Sequence, residues 1–217
     1  MKSILVIGMG RFGRHCAREL MSLGHEVMAI DINERNIDSI AGDVSCAQIG
    51  DATDPLFMSS IGVSDFDECF ICIGDNLQAS LESTCLCKEL GCKFIVARAA
   101  KDIHRKFLLK MGADEVVYPE KQTAIWSAVT YSADNVFDYI PLDSQHAIFE
   151  VGIPDSWDNK TIMDIDVRKR YNINILAIKN NGQLILSVHP GLLLKAGMTM
   201  LVLGTKKDIQ KCFKINS

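Results

Sequence analysis

Long apolar segments are absent from this sequence, and their absence excludes a membrane-spanning protein. There is no run of about 18 apolar residues, the length that a transmembrane helix needs. The apolar stretch near the N-terminus, residues 4–7, ends at a glycine and is too short for the core of a signal peptide. We therefore expect a protein that stays in the cytoplasm.

Basic charge is also scarce. The 23 lysines and arginines are outnumbered by 27 aspartates and glutamates, which gives a formal net charge of −4. A protein that binds nucleic acid through a large basic surface needs the opposite balance. We expect no nucleic-acid partner, whereas a small anionic ligand is compatible with a local site.

Cysteine is plentiful, but the spacing that metal sites require is missing. The CxxC pair, Cys69 and Cys72, lies in a predicted strand, where residues three apart point to opposite faces. Cys85, Cys87 and Cys92 lie on or just after a predicted helix, without a second CxxC or a histidine at ligand spacing. We expect the eight cysteines to be free thiols in a reducing compartment, since 217 residues can bury a core without disulfides.

The first 120 residues alternate between strand patterns and helix patterns. Apolar runs predict strands at residues 3–7, 26–31, 46–49, 68–73, 94–97 and 115–118. Helical spacing predicts helices at residues 13–23, 33–41, 55–61, 76–90 and 103–111. Such alternation forms a parallel sheet with helices on both faces. We predict the α/β class, with a Rossmann-type doubly wound parallel sheet.

The rest of the chain has shorter elements and predicts a second, smaller lobe. Helical spacing predicts a long crossover helix at residues 122–135. Strand patterns lie at residues 146–153, 174–179, 184–188 and 198–203, and a helix is expected at 161–171, where Thr161 and Asp164 have capping-box spacing. Asn181 and Gly182 predict a hairpin turn. The expected organisation is a Rossmann domain at 1–120, a crossover helix within 121–136 and a small α+β lobe at 137–217.

Residues 8–13 (GMGRFG) have the GxGxxG spacing of a dinucleotide-binding turn. The motif follows a predicted buried strand, opens a predicted helix and precedes Asp31, which ends the next strand. Gly8 permits the tight turn, Gly10 lets the backbone approach a phosphate, and Gly13 lets helix and strand pack closely. The helix N-terminus offers N–H groups to the phosphate, and Asp31 can accept hydrogen bonds from ribose hydroxyls. The alternative is a glycine turn that binds no ligand.

Polar residues at the ends of the other strands are expected at the same crevice, because ligands bind beyond the carboxyl ends of parallel strands. Arg11, inside the turn, is either a donor to a terminal phosphate or a solvated surface arginine. Asp51 either accepts from an adenine amino group or caps the next helix, for which Asp54 is better placed. Further lining candidates are Gly74, Asp75 and Arg98, and for Asp75 a helix-cap role is at least as well supported.

Several stretches, in this order, resemble the regulatory subunits of Trk/Ktr-type potassium uptake systems, which are built from an RCK (or KTN) domain. The matching stretches are residues 7–13 (IGMGRFG), 50–53 (GDAT), 88–91 (KELG), 97–99 (ARA) and 112–120 (GADEVVYPE). The C-terminal part is similar to the small lobe of that family, except that Gly197 and Met198 replace the frequent Gly-Asp before the last strand. The resemblance covers nearly the whole chain.

The resemblance implies a Rossmann lobe, a crossover helix and a C-terminal lobe, assembled as dimers within an octameric ring under a membrane-embedded potassium pore subunit. Family members bind ATP, ADP or NAD(H) at the glycine turn, and Arg11 corresponds to the arginine that meets the γ-phosphate. Glu120 matches a carboxylate that helps hold a divalent cation such as Mg²⁺ or Ca²⁺ near the dimer interface. Some members bind cyclic di-AMP between C-terminal lobes, and no residue here assigns that site. The positions that match the nucleotide site are Gly8, Gly10, Arg11, Phe12, Gly13, Asp31, Asp51, Ala52 and Arg98.

The function implied by the resemblance is a non-enzymatic cytoplasmic sensor, attached peripherally to the membrane through the pore subunit. The alternative is a small NAD-dependent oxidoreductase, which the glycine turn and Asp31 allow. Such an enzyme needs an acid or base near the nicotinamide, and the segment after residue 136 shows no arrangement that predicts one. A redox-sensing transcription regulator is disfavoured because a basic DNA-reading helix is missing.

Overall fold

Six strands in the first half of the chain pair in one parallel sheet in the computed structural model, which describes residues 1–215. They are β1 Ser3–Ile7, β2 Glu26–Asp31, β3 Cys46–Ile49, β4 Glu68–Ile71, β5 Ile95–Arg98 and β6 Glu115–Val117. Their order is β3-β2-β1-β4-β5-β6, and neighbouring strands run parallel. This is the doubly wound order of the Rossmann fold, so the predicted fold class is confirmed.

The helices between these strands are α1 Arg11–Ser22, α2 Glu34–Asp38, α3 Pro55–Ser60, α4 Leu77–Glu89 and α5 Asp102–Met111. Side-chain caps explain where three of them begin. Asn33, Asp54 and Asn76 each accept a hydrogen bond from a backbone N–H in the first turn of α2, α3 and α4, respectively. The cap of α4 is therefore Asn76, and the helix-cap role suggested for Asp75 is wrong.

The sheet is buried on both faces, and β1 shows how. Ile4 and Val6 point into one apolar core, and Leu5 and Ile7 point into the other, because successive side chains of a strand alternate between faces. All four are at most 1% exposed. Continuous burial on both faces is typical of a parallel sheet covered by helices, and it positions the strand ends rigidly.

The crossover helix differs from its prediction at both ends. It is α6 Pro119–Tyr131, so the helix predicted at 122–135, within the segment 121–136, starts too late and ends too late. Proline is favoured in a first helical turn because its missing N–H would be unpaired there anyway. Beyond Tyr131, Asp134 and Asn135 are residues that compete with helix formation, and Val136 already begins a strand.

An antiparallel five-stranded sheet forms the second unit, in the order β10-β9-β11-β8-β7. Its strands are β7 Val136–Pro141, β8 His146–Gly152, β9 Asn174–Asn180, β10 Gln183–Ile185 and β11 Thr199–Thr205. The Asn181–Gly182 turn between β9 and β10 is confirmed, since both residues have positive φ, as a type I′ hairpin requires. The prediction omitted β7, which pairs with β8 at one edge of this sheet.

The predicted helix at 161–171 is two short helices, α7 Ile162–Ile165 and α8 Val167–Tyr171. The predicted capping box between Thr161 and Asp164 is present at the start of α7. Asp166 separates the two helices because its φ of 50° is left-handed and cannot continue a right-handed helix. A further helix, α9 Lys206–Phe213, was not predicted, and it packs Ile209 and Phe213 into the core of this unit.

The chain divides into two compact units, Met1–Glu120 and the part from Lys121 onward. Residues 216–217, at the end of the predicted C-terminal lobe, lie outside the described residues. Within residues 1–215, none of the helices combines the length and the apolar character needed to cross a bilayer.

Candidate functional site

The carboxyl ends of the parallel strands border an open cleft of about 910 Å³. It lies at the junction of β1 and β4, where the strand order changes direction, which is the usual ligand position in a doubly wound sheet. Every residue predicted for the site lines this cleft except Gly13, which packs beneath it. The predicted residues in the lining are Gly8, Gly10, Arg11, Phe12, Asp31, Asp51, Ala52, Gly74, Arg98 and Glu120.

The turn between β1 and α1 requires glycine at two positions for reasons internal to the protein. Gly8 has a φ of 94°, which side-chain-bearing residues rarely adopt. At Gly13, an added Cβ atom would lie 1.9 Å from the carbonyl oxygen of Gly8, far inside van der Waals contact. These two glycines therefore set the shape of the turn and the close packing of α1 against it.

Gly10 is different, because nothing among residues 1–215 occupies the space a side chain would take. No heavy atom of this described part of the chain lies within 4 Å of an added Cβ, and its φ of −64° is accessible to any residue. Gly10 is the N-cap of α1, provides no side-chain cap, and is followed by no acidic residue in the first turn. Uncapped N–H groups at a helix N-terminus beside an open backbone form a surface that suits a phosphate.

Asp31 ties the glycine turn to the end of β2. One of its carboxylate oxygens accepts from the backbone N–H of Met9 at 2.6 Å and from the Asn36 side-chain amide at 3.1 Å. The other accepts from the backbone N–H of Asn33 at 2.8 Å. A carboxylate offers about four acceptor positions, so some acceptor capacity remains on this residue, which lines the cleft. Asp31 is thus both a support for the turn and an acceptor at the cleft.

The side chain of Asp51 stabilises a local turn in the loop after β3. Its Oδ1 atom accepts from the backbone N–H of Thr53 at 2.9 Å and from the Thr53 hydroxyl at 2.7 Å. The cap of α3 is Asp54, which accepts from Leu56 N at 2.9 Å, so the alternative cap role of Asp51 is excluded. Its neighbour Ala52 is 6% exposed and forms part of the cleft floor.

Arg98, the last residue of β5, lies across the end of β4. An added Cβ on Gly74 would be 2.2 Å from a guanidinium nitrogen of Arg98, so a side chain at residue 74 would require the guanidinium to move. The guanidinium carbon is 5.7 Å from the centre of the Phe12 ring, within the range of a cation–π contact. Arg98 also forms an ion pair with Glu120. Its buried Nε atom has no hydrogen-bond partner in the described part of the chain.

Glu120, in the first turn of α6, supplies the carboxylate of that ion pair. Burial opposes its ionisation, but its own backbone N–H, the hydrogen bond and charge of Arg98, and the charge of Arg11 outweigh that effect and lower the pKa of Glu120. Glu120 is therefore a carboxylate at neutral pH. Within residues 1–215 no three His, Cys, Asp or Glu side chains are grouped as a metal site requires, so a cation at Glu120 stays a prediction.

Models of two protein domains match this chain: the TrkA-N domain over residues 4–119 and the TrkA-C domain over residues 146–216. The chain belongs to the TrkA family. Among its relatives, the Ktr system potassium uptake protein A of Bacillus subtilis (strain 168) is 38% identical over 210 residues, covering 97% of this chain and 95% of the relative. The Ktr system potassium uptake protein C of the same organism is 37% identical with the same coverage.

A solved structure of the GsuK RCK domain shares the fold of this TrkA-family chain, with a TM-score of 0.70. It is 17% identical and covers 99% of this chain, which corresponds to 47% of the GsuK chain. At that identity the likeness establishes the fold, and it agrees with the RCK architecture that the sequence resemblance implied.

Sequence reasoning missed the part of this TrkA-family cleft that α4 provides. Ser83 lines the cleft, yet its hydroxyl is buried and has no hydrogen-bond partner within residues 1–215. Ser80, Ser83 and Thr84 are fully buried on one face of α4. Their spacing of three and four residues was the available signal, because buried polar residues on the inner face of a helix are unusual and call for an explanation.

Proposed function

We propose that this chain is a cytoplasmic regulatory subunit of a potassium uptake system that binds an adenine nucleotide in the cleft and thereby controls a separate membrane pore. The observation that carries the proposal is the open backbone at Gly10, beside the uncapped N-terminus of α1 and the carboxylate of Asp31. Membership of the TrkA family, together with the similarity to the Ktr system potassium uptake proteins A and C, supports the transport role.

The groups around the cleft are suited to the separate parts of such a ligand. The backbone near Gly10 and the N-terminus of α1 would hold the phosphates. Asp31 would accept hydrogen bonds from the ribose, and Asp51 would accept from the adenine amino group. None of these residues needs to be displaced for the cleft to accept a ligand, because the cleft is already open.

Two arginines give the cleft a means to distinguish nucleotides by charge. Arg11 is exposed in the turn, and Arg98 is held by Glu120 and by the ring of Phe12, the residue next to Arg11. A terminal phosphate would add negative charge near both arginines and compete with Glu120 for Arg98. A ligand shifts a conformational equilibrium only through its different affinity for the two states, typically by about 1–3 kcal/mol.

A small NAD-dependent oxidoreductase is the second candidate, because the same turn binds dinucleotides. Hydride transfer needs a group that exchanges a proton with the substrate. Within the described residues the cleft lining contains no His, Tyr or Lys. His104 lies near the cleft on α5, but burial and then the charge of Arg98 lower its pKa, and it is hydrogen-bonded to Ala100 N and Ser80. The lining favours binding over catalysis.

The resemblance adds an assembly to this proposal: dimers in an octameric ring, with a divalent cation near Glu120. Light scattering of the purified chain would measure its mass, and a monomer at micromolar concentration with nucleotide present would contradict the ring.

The experiment that tests charge discrimination compares Arg11→Ala with Arg14→Ala. Both positions lie on α1, but Arg11 lines the cleft, whereas Arg14 is absent from its lining and bonds to Ser39. We expect Arg11→Ala to reduce the ratio of ATP to ADP affinity by about tenfold, the low part of a typical coupling. Arg14→Ala should leave the ratio unchanged. A ratio that Arg11→Ala does not alter would contradict the mechanism.

A further inference from the structure

One of the buried hydroxyl groups of α4 has no hydrogen-bond partner in the described part of the chain. Ser80, Ser83 and Thr84 are each 0% exposed. The Ser80 hydroxyl bonds with Nε2 of His104 at 3.2 Å, and the Thr84 hydroxyl donates to the backbone carbonyl of Ser80 at 2.7 Å. The Ser83 hydroxyl is the unpaired one. A buried polar atom without a partner is costly, so Ser83 needs an explanation that the packing of α4 does not provide.

Ser83 also faces a different direction from the other two residues. Three residues of an α-helix rotate by about 300°, so Ser83 lies about 60° to one side of Ser80, whereas Thr84 lies about 40° to the other side. Ser80 faces α5, because its partner His104 belongs to α5. Ser83 lines the cleft, whereas Ser80 and Thr84 lie outside the lining. The residues of α4 in the lining, here called the α4 wall, are Gln78, Ala79, Glu82 and Ser83.

The α4 wall faces the side of the cleft that the loop after β3 forms. On its face of the sheet, α4 packs against α3 as well as against α5. Since Ser80 faces α5, the side of α4 that carries Ser83 is turned toward α3. The loop before α3 contains Asp51 and Ala52, and both of these residues line the cleft. Ser83 therefore lies on the side where the proposed function places the adenine base, with Asp51 as the acceptor of its amino group.

The charge of the α4 wall favours a neutral ligand group over a phosphate. Glu82 is its charged residue, and the Glu82 carboxylate accepts from the Gln78 side-chain amide at 2.8 Å. This negative charge would repel a phosphate. The two arginines of the cleft are associated with α1, which packs into a different core from α4: Arg11 begins α1, and Arg98 contacts the ring of Phe12. The α4 wall is thus suited to the uncharged base.

We propose that Ser83 is a specificity-determining residue whose hydroxyl donates a hydrogen bond to a ring nitrogen of the adenine base. This inference rests on the proposed nucleotide site. The ring nitrogens of adenine are acceptors, and a serine hydroxyl supplies one donor that can be turned toward them. The Oγ atom of Ser83 is buried in the structure, so it reaches the base by rotation about the single χ1 bond of the side chain, which requires no movement of the backbone.

The first test uses the fact that stability and binding should separate at this residue. Ser83→Ala removes no hydrogen bond within the described chain, and alanine is favoured in helices. We expect its melting midpoint without nucleotide to equal or exceed that of wild type, while calorimetry shows about tenfold weaker binding of both ATP and NAD, which share the base. Ser80→Ala is the matched control on the same helix. It loses the bond with His104, so its midpoint should fall by a few degrees while both affinities stay unchanged.

Two results of this comparison would overturn the proposal. Unchanged affinities in Ser83→Ala would show that the hydroxyl does not contact the ligand. Equal losses of affinity in Ser83→Ala and Ser80→Ala would show that any disturbance of α4 weakens binding.

The second test identifies the atom that accepts the hydrogen bond. The full chain and Ser83→Ala are titrated with 1-deaza-ATP, 3-deaza-ATP and 7-deaza-ATP, in each of which a carbon replaces one ring nitrogen. We expect one analogue to bind wild type about tenfold more weakly than ATP does and to bind Ser83→Ala equally weakly, because the bond is already missing. Losses in Ser83→Ala that are the same for ATP and for all three analogues would contradict a hydrogen bond to the base.

The outcomes for wild type separate this inference from the proposed function. A wild-type chain that binds none of ATP, ADP, NAD and NADH would contradict both. A wild-type chain that binds ATP, but no more tightly than Ser83→Ala does, would contradict this inference alone.

Discussion

The three glycines of the turn carry different constraints, although the motif presents them as equivalent. Gly8 and Gly13 are fixed by backbone conformation and by contact within the protein. Gly10 has free space around its missing side chain within residues 1–215, so packing in that part of the chain does not require glycine there, whereas the proposed ligand would. This difference separates the requirements of folding from those of binding, and substitutions can measure it.

We expect Gly10→Ala to weaken nucleotide binding without loss of stability, and Gly13→Ala to reduce the stability of the N-terminal unit. Gly10→Ala should leave the melting midpoint within a few degrees of wild type but weaken nucleotide binding about tenfold or more, because the new methyl group stands where a phosphate approaches. Gly13→Ala should destabilise the N-terminal unit by about 3 kcal/mol, because its Cβ overlaps the Gly8 carbonyl. Circular dichroism gives stability and calorimetry gives affinity. If Gly10→Ala bound normally, the cleft would not hold a phosphate at this turn.

Local sequence patterns predicted the helix-cap roles of single residues, but they could not predict contacts between segments that are far apart in the chain. The caps at Asp54 and Thr161 followed from spacing along the chain and are present. The hydrogen bond from Met9 N to Asp31 joins two strand ends 22 residues apart, and no local pattern contains it. The ion pair between Arg98 and Glu120 likewise depends on the β5–β6 pairing that brings these residues together.

At the scale of elements, the start of α4 decides how the loop after β4 meets the cleft. Asn76 accepts from Ala79 N at 3.1 Å, and Asp75 precedes it. We expect Asn76→Ala to cost about 1 kcal/mol of stability through the lost cap, as measured by denaturant unfolding. The matched change Asp75→Ala should stay within about 0.5 kcal/mol of wild type. Equal losses at both positions would show that the cap is shared or misassigned.

The first turn of α6 offers a test of the Arg98–Glu120 pair. With divalent cations removed by a chelator, Glu120→Gln should raise ATP affinity about two- to fivefold, because the lost ion pair is a part-exposed one worth up to about 1 kcal/mol. Glu34→Gln, an exposed carboxylate outside the lining, serves as control. A fall in affinity under the chelator would mean that Glu120 does not compete for Arg98.

Elements with strong periodicity were predictable, whereas β7 and the break within the helix predicted at 161–171 were not. The β1–β6 strands and α1–α5 were found because buried parallel strands are continuous apolar runs separated by helical spacing. β7 leaves the apolar side chains of Phe137 and Ile140 exposed and has a bulge-like shift against β8, so its sequence lacks a regular alternation of apolar and polar residues. The break at Asp166 depends on a left-handed residue that no helical pattern reveals.

At the scale of the whole molecule, the two units differ in how much of their fold and of a candidate site could be predicted from the sequence. The N-terminal unit combines a recognisable sheet order with a site at its switch point, so fold and candidate site were predicted together. In the C-terminal unit four of the five strands and a hairpin turn were predicted, but the order of the sheet was not, because its pairings join distant segments such as β8 and β11. No chemical motif marked a site within it.

The central claim is that the cleft of the N-terminal unit binds an adenine nucleotide through the glycine turn. Calorimetric titration of the purified full chain with ATP, ADP, NAD and NADH tests it most directly. The claim predicts saturable binding of at least one of these ligands at one site per chain, reduced about tenfold or more by Gly10→Ala. Absence of binding for all four ligands, with a wild-type chain that is folded by circular dichroism, would contradict it.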